Sequence, residues 1–303
     1  MTVLVEGSSW NPITDLQEMW SFPFMVNAFR AGTIVAILAG VLGHFMVLRR
    51  QSFAGHTLSL IGFPGAAGAT LIGVSASYGY FVFCLAGALV IAALPRAGRG
   101  GYSEESAVTG TVQAFALACG FLFVTLHKGL LNGINALLFG SFLGITTEQV
   151  VVLGIAAVVS LTILGMIGRP LVFASLDPDV AVARSVPVRA LSVVFLLLLG
   201  AAVAEASQIT GTLLVFAMLV MPAATAQALT PRPLRALVLT IVIGLTVTWL
   251  GLSVAYHTPW PVGFFVTSFG FTGYVGSQVI RRLRSRRRAG SAGADPRMAK
   301  AVP

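Results

Sequence analysis

Residues 24–48 read FMVNAFRAGTIVAILAGVLGHFMVL, with Arg30 the only fixed charge, and the run stops at Arg49 and Arg50. A helix rising about 1.5 Å per residue crosses the roughly 30 Å hydrocarbon core of a bilayer in such a run. Lipid offers the backbone no hydrogen-bond partners, so a crossing segment must satisfy its own N–H and C=O groups. Similar apolar runs recur along the chain without strand-type alternation, which excludes an outer-membrane barrel. Only 10% of the 303 residues are charged, against about 25% in an average soluble domain, too few to cover a soluble surface. The expected fold is all-α, a polytopic helical membrane protein.

Nine spans are expected, over residues 24–48, 59–75, 78–94, 103–126, 148–167, 190–204, 211–229, 236–255 and 262–280. Eight is the alternative count, because the sixth and seventh are joined tightly. Residues 127–147 are apolar but interrupted by glycine and asparagine, and read as a re-entrant or interfacial segment. Of the nineteen Lys and Arg residues, all but Arg30 and Lys128 then fall on one side. The positive-inside rule makes that side the cytoplasm, with the N-terminus outside and the C-terminus cytoplasmic. The net charge of +9 therefore reports membrane orientation and no nucleic-acid partner.

Residues 1–22, with Trp10 and Trp20, read as an interfacial segment without the pattern of a cleaved signal peptide. Residues 23–281 form the transmembrane domain, with a cytoplasmic segment at 169–189, and residues 282–303 form a basic, disordered tail in contact with membrane lipid. Cys84 and Cys119 lie inside apolar runs and read as small core residues.

The chain has no phosphate-binding GxxxxGK[ST], no HExxH and no nucleophile elbow. Transport is therefore the expected class, and any ATPase is a separate chain. His44, His56 and Glu205 are the ionisable residues not assigned to loops, and a group of that kind inside a membrane is a candidate functional site. His44 reads as a neutral imidazole bonded to a carbonyl. His56 lies on a polar turn before a helix break at Pro64 and Gly65, where exposed backbone lines a cavity, and its imidazole can ligate zinc, manganese or iron. Glu205, with Ser207 and Gln208, reads either as a polar outer mouth for a cation or as a solvated turn. Glu104 and Glu105 read as capping residues, and His257 as structural. Asp177, Pro178 and Asp179 mark the start of a short cytoplasmic helix.

Four stretches in order, LRRQSFAGHTLSLIGFPG, EESAVTG, LDPDVAVARSVPV and TGTLLVFAMLVMPAATA, resemble the integral-membrane permeases of bacterial ABC importers for zinc, manganese or iron. The resemblance implies a permease homodimer in the bacterial inner or plasma membrane, served by cytoplasmic ABC ATPase subunits and an extracytoplasmic metal-binding lipoprotein. A divalent metal is then the substrate, ATP is used by the partner subunit, and no cofactor is tightly bound. The resemblance makes the stretch from Arg49 to Gly65 a translocation segment; together with the reading of the ionisable residues, the expected pathway comprises His56, Ser59, Pro64, Gly65, Glu205 and Gln208, with His56 and Glu205 as metal ligands, although Glu205 stands where the family has no carboxylate. Asp177, Pro178, Asp179 and Arg184 are implied in ATPase coupling. Where the family has Asp, and His four residues later, this chain has His56 and Leu60. A proton-coupled secondary transporter of a small cation or metal complex is the alternative, and a membrane scaffold without transport is a third class.

Overall fold

The computed structural model describes residues 19–93, 102–127, 138, 140 and 144–292. These form ten helices: α1 Pro23–Leu48, α2 Ser52–Leu71, α3 Ala76–Ala93, α4 Tyr102–Leu126, α5 Thr147–Leu176, α6 Pro178–Ala183, α7 Val188–Thr210, α8 Thr212–Leu229, α9 Pro233–Tyr256 and α10 Val262–Ala292. All but α6 have at least 18 residues, and six helices are long and apolar enough to cross a membrane. The interfacial segment at 1–18, most of the stretch at 127–147 and the end of the tail at 293–303 lie outside the described residues.

Several boundaries differ from the sequence reading. The stretch QSFAGHTL is not a polar turn, because α2 begins at Ser52 and carries His56 in its second turn. Nor does Pro64 break this helix, which continues to Leu71 with Pro64 buried. A proline removes one N–H, here the donor to the Leu60 carbonyl, but packing on both sides holds the helix together. By the same logic α5 continues through Pro170 to Leu176, held by Leu171 and Ala174, both buried. Helix α7 ends at Gly211, whose φ of 75° is the first backbone conformation along it that leaves the helix, so Glu205 and Gln208 are helical. Helix α10 runs through RRLRSRRR, since arginine is a good helix former, and the tail is helical as far as Ala292.

Of the six helices long and apolar enough to cross, α1 and α7 are the most enclosed, whereas α4, α5 and α9 turn large apolar side chains such as Phe115, Val158, Met166 and Val242 outward. That inversion suits lipid, where helices associate through close packing and interhelical hydrogen bonds. Asn27 Nδ2 donates to the Ile145 carbonyl at 3.2 Å, joining α1 to the start of α5. Trp249 Nε1 donates to Thr33 Oγ1 at 3.0 Å, Gln227 Nε2 to the His44 carbonyl at 3.1 Å, and Thr57 Oγ1 to Gln113 Oε1 at 3.0 Å. A close backbone approach joins α2 to α3, where a Cβ on Gly65 would strike the Gly79 carbonyl and a Cβ on Gly79 the Gly65 carbonyl.

Gly79→Val should therefore destabilise the fold by about 1–3 kcal/mol, as overpacking does, and lower the thermal midpoint of the detergent-solubilised protein. Gly273→Ala, whose Cβ would meet nothing within 4 Å, should leave the midpoint unchanged or slightly raised. Equal midpoints for the two variants would contradict the close approach of α2 and α3.

Candidate functional site

The sequence places Arg49 directly after an apolar helix, where it would ordinarily be solvated. Instead its guanidinium turns inward. Nε donates to Gln51 Oε1 at 3.2 Å, Nη1 to Ser175 Oγ at 3.1 Å and Nη2 to Ser192 Oγ at 2.6 Å, while the group lies 5.4 Å from the centroid of the Phe195 ring. Ser175 in turn donates to the Leu171 carbonyl. One planar cation thus ties the α1–α2 corner to the end of α5 and the start of α7. The next residue, Arg50, takes φ 57° to turn the chain into α2.

Between those two attachment points lies α6. Asp177 accepts a hydrogen bond from the Val180 N–H at 3.1 Å, Pro178 opens the helix, Asp179 lies in its first turn and Arg184 is its C-cap. This is the capped start expected from the sequence. Ala181 is fully buried, whereas Asp177, Asp179, Val182 and Arg184 are exposed. The short helix is fixed by its inner face and presents an apolar and acidic outer one.

On α2, His56 is half-buried and packs edge-on against Phe216 of α8, with ring centroids 4.6 Å apart. Its Nδ1 is buried and has no hydrogen-bond partner among the described residues. Ser59, fully buried, donates to the His56 carbonyl at 2.7 Å, so its proton is engaged within the helix. Farther along, Gly65 lies against Gly79 of α3, and Pro64 lies close to Gly120 of α4. Leu60 is buried.

Glu205 faces a different space. Ser77 and Phe81 of α3, Glu148, Gln149, Val152 and Leu153 of α5 with its N-cap Thr146, and Glu205, Gln208 and Ile209 of α7 line a cavity of about 370 Å³. Glu205 is only 6% exposed and its Oε2 has no hydrogen-bond partner among the described residues. Nearby in sequence, the hydroxyls of Ser207 and Thr212 are buried in the same condition. Gln208 Nε2 donates to the Ala204 carbonyl at 3.2 Å. Buried polar atoms are nearly always paired, so the unpaired oxygen of Glu205 on the cavity wall marks a place built for something other than packing. Glu148, exposed at the cavity's edge, adds a second carboxylate.

The structure does not bring His56 and Glu205 together. Cys84 of α3 bonds through Sγ to the Leu58 carbonyl, and its own carbonyl lies against Gly200 of α7, which fixes a common level. Counting at about 1.5 Å per residue from that level separates His56 from Glu205 by ~10 Å along the helix axes. Among the described residues His44 Nδ1, which is buried, has no partner, so the expected bond to a carbonyl is not seen there, and it is the His44 backbone oxygen that is engaged by Gln227. Cys84 and Cys119 are free thiols. Sequence reasoning missed Glu148, Gln149 and Ser77. The signal available was the capping box Thr146 to Gln149, which places Glu148 in the first turn of α5, next to the cavity.

Residues 21–280 match the model of the ABC 3 transport family. The chain belongs to that family. Among its relatives is the chelated iron transport system membrane protein YfeC of Yersinia pestis, 31% identical over 80% of this chain and 81% of that one. The manganese transport system membrane protein MntC of Halalkalibacterium halodurans is 33% identical over 71% and 73% of the respective chains. Among solved structures, the ABC 3 chain is similar to PsaBC from Streptococcus pneumoniae in complex with Fab, with TM-score 0.77 and 25% identity over 88% of this chain and 95% of that one. It also shares the fold of an inward-facing putative metal-chelate type ABC transporter, TM-score 0.66 at 18% identity. This ABC 3 protein is thus a multi-pass transport subunit of the bacterial membrane, not an enzyme, and the resemblance carried by its four sequence stretches is borne out.

Loss of the Arg49 contacts should loosen the α1–α2 corner. Arg49→Ala is expected to destabilise the permease by about 1.5–3 kcal/mol, the range for hydrogen bonds to a charged group. Arg50→Gly, which relieves a positive φ, should be neutral or stabilising. Thermal melts of the purified variants in one detergent check both, and a melt of Arg49→Ala matching the parent would show that the network carries no load.

Proposed function

We propose that the chain is the permease of an ATP-driven importer of a divalent transition metal ion, manganese, iron or zinc. It works as a nine-span homodimer, N-terminus outside, with cytoplasmic ATPase subunits and an extracytoplasmic binding lipoprotein. The observation that carries this reading is Glu205, a buried carboxylate with an unpaired oxygen on a cavity wall. A buried, unpaired carboxylate is costly unless a cation compensates it. Glu205, with Gln208 and the exposed Glu148, offers hard oxygen donors to an arriving divalent cation. His56, about 10 Å closer to the arginine-rich end by helix rise, serves as the next ligand on the way through. In place of the family's Asp and His pair on α2, cation binding here is divided between a carboxylate on α7 and an imidazole on α2. Weak, separated ligands favour release over retention.

Coupling enters through α6. The ATPase bears on the exposed face around Asp179 and Val182, and α5 and α7, joined by Arg49 to the α1–α2 corner, transmit the movement to α2. Alternating access follows as rigid elements shift about that junction. The names of the relatives support a metal cargo, and the capped, exposed α6 supports an ATPase partner.

In proteoliposomes holding permease, ATPase and binding protein, ATP should drive manganese or iron accumulation. Glu205→Gln should raise the metal concentration for half-maximal uptake on the order of tenfold, a loss of about 1.4 kcal/mol. His56→Ala should abolish uptake at unchanged levels of assembled complex. Uptake by both variants equal to the parent would remove these residues from the pathway, and accumulation without ATP would favour a proton-coupled carrier.

Asp177→Lys combined with Asp179→Lys should reduce the ATPase recovered with the purified permease, whereas Asp177→Asn, which keeps an N-cap acceptor, should retain it. Equal recovery from the double variant and the parent would place the coupling surface elsewhere.

A further inference from the structure

Toward the other end of α5 from the Glu205 cavity, a second cavity of about 600 Å³ opens between α1, α5 and α9. Its walls are largely apolar, with Phe45, Val172, Leu234 and Leu237 among them. Gly165 and Gly168, one turn apart on α5, leave its floor low, and a Cβ on Gly165 would meet nothing within 4 Å. Two polar groups share the lining. Arg169 is exposed beside Gly168, and His44 is 3% exposed with its Nδ1 buried and unpartnered. Arg232 directly precedes Pro233, which also lines the cavity. A wall of hydrocarbon ending at fixed positive charge is complementary to a lipid whose head group is negative.

We propose that this groove is a binding site for an anionic phospholipid, with an acyl chain laid over Gly165 and Gly168 and the phosphate held at Arg169, within reach of a hydrogen bond from the His44 imidazole. Lipid fills any apolar groove open to a bilayer, so the specific content lies in the head group. A membrane surface rich in anionic lipid contributes about 1 kcal/mol per nearby arginine, which converts to a preference of about fivefold per arginine for the charged head group. The site is separate from the cation cavity and does not depend on which cargo the permease carries. Its place against α5 and α9 gives membrane composition a direct contact with the helix that leads into α6.

Native mass spectrometry of the intact permease, titrated with phosphatidylglycerol and phosphatidylcholine of identical acyl chains, tests the assignment. The parent protein should retain phosphatidylglycerol at least about fivefold more tightly. Arg169→Gln should reduce that preference toward equality, and Arg169→Lys should restore it. Gly165→Leu, which fills open space without a clash, should weaken binding of both lipids. Equal retention of the two lipids by the parent, or an undiminished preference in Arg169→Gln, would overturn the proposal, as would unaltered binding in Gly165→Leu.

Discussion

The guanidinium of Arg49 is the interaction on which the remaining geometry depends. Three hydrogen bonds and a face-on contact with Phe195 hold the corner between α1 and α2 against Ser175 and Ser192, the residues that flank α6 on either side. A lysine could supply the charge but not the fork that engages several oxygens at once. Because the same cation touches the helix before α6 and the helix after it, movement of that short helix cannot leave α2 where it was. The mechanical part of the account therefore lives in a residue that a topology reading treats only as a stop signal.

Much of the fold was legible because the bilayer restricts the choices. Apolar runs such as 24–48 and 236–255 had to be helical, and the described helices lie over the runs expected. Ends were read less well, for a definite reason. Proline and polar residues terminate helices in water, where a lost hydrogen bond is replaced by solvent and a side chain can cap the end. Enclosed among other helices, Pro64 and Pro170 remain internal, and the polar residues from Ser52 to Thr57 begin a helix instead of forming a turn. Gly73 and Gly211, both at positive φ, end α2 and α7 where tertiary packing does not override them.

The candidate site was legible residue by residue and not as an arrangement. Glu205 stood out as a carboxylate next to an apolar run, with a solvated turn as the bland reading, and its burial on α7 with an oxygen unpaired among the described residues gives the suspicion physical content. Its partners did not stand out. Glu148 and Gln149 belong to a helix start 56 residues or more earlier in the chain, and Ser77 to another still earlier, so only the packing of α3, α5 and α7 gathers them around one cavity. His56 was conspicuous for the opposite reason, as an imidazole set beside Phe216 where an acid was expected. Burial inside a bundle, invisible to sequence spacing, separates the two residues, which is why the function proposed gives them successive positions and not one.

That division of ligands is the central claim, and it predicts where a cation comes to rest. Anomalous scattering at the manganese edge, from crystals of the assembled transporter soaked with manganese, should place a peak in the cavity beside Glu205, and Glu205→Gln should remove it. A peak confined to α2 at His56, with none beside Glu205 in the parent protein, would contradict the account.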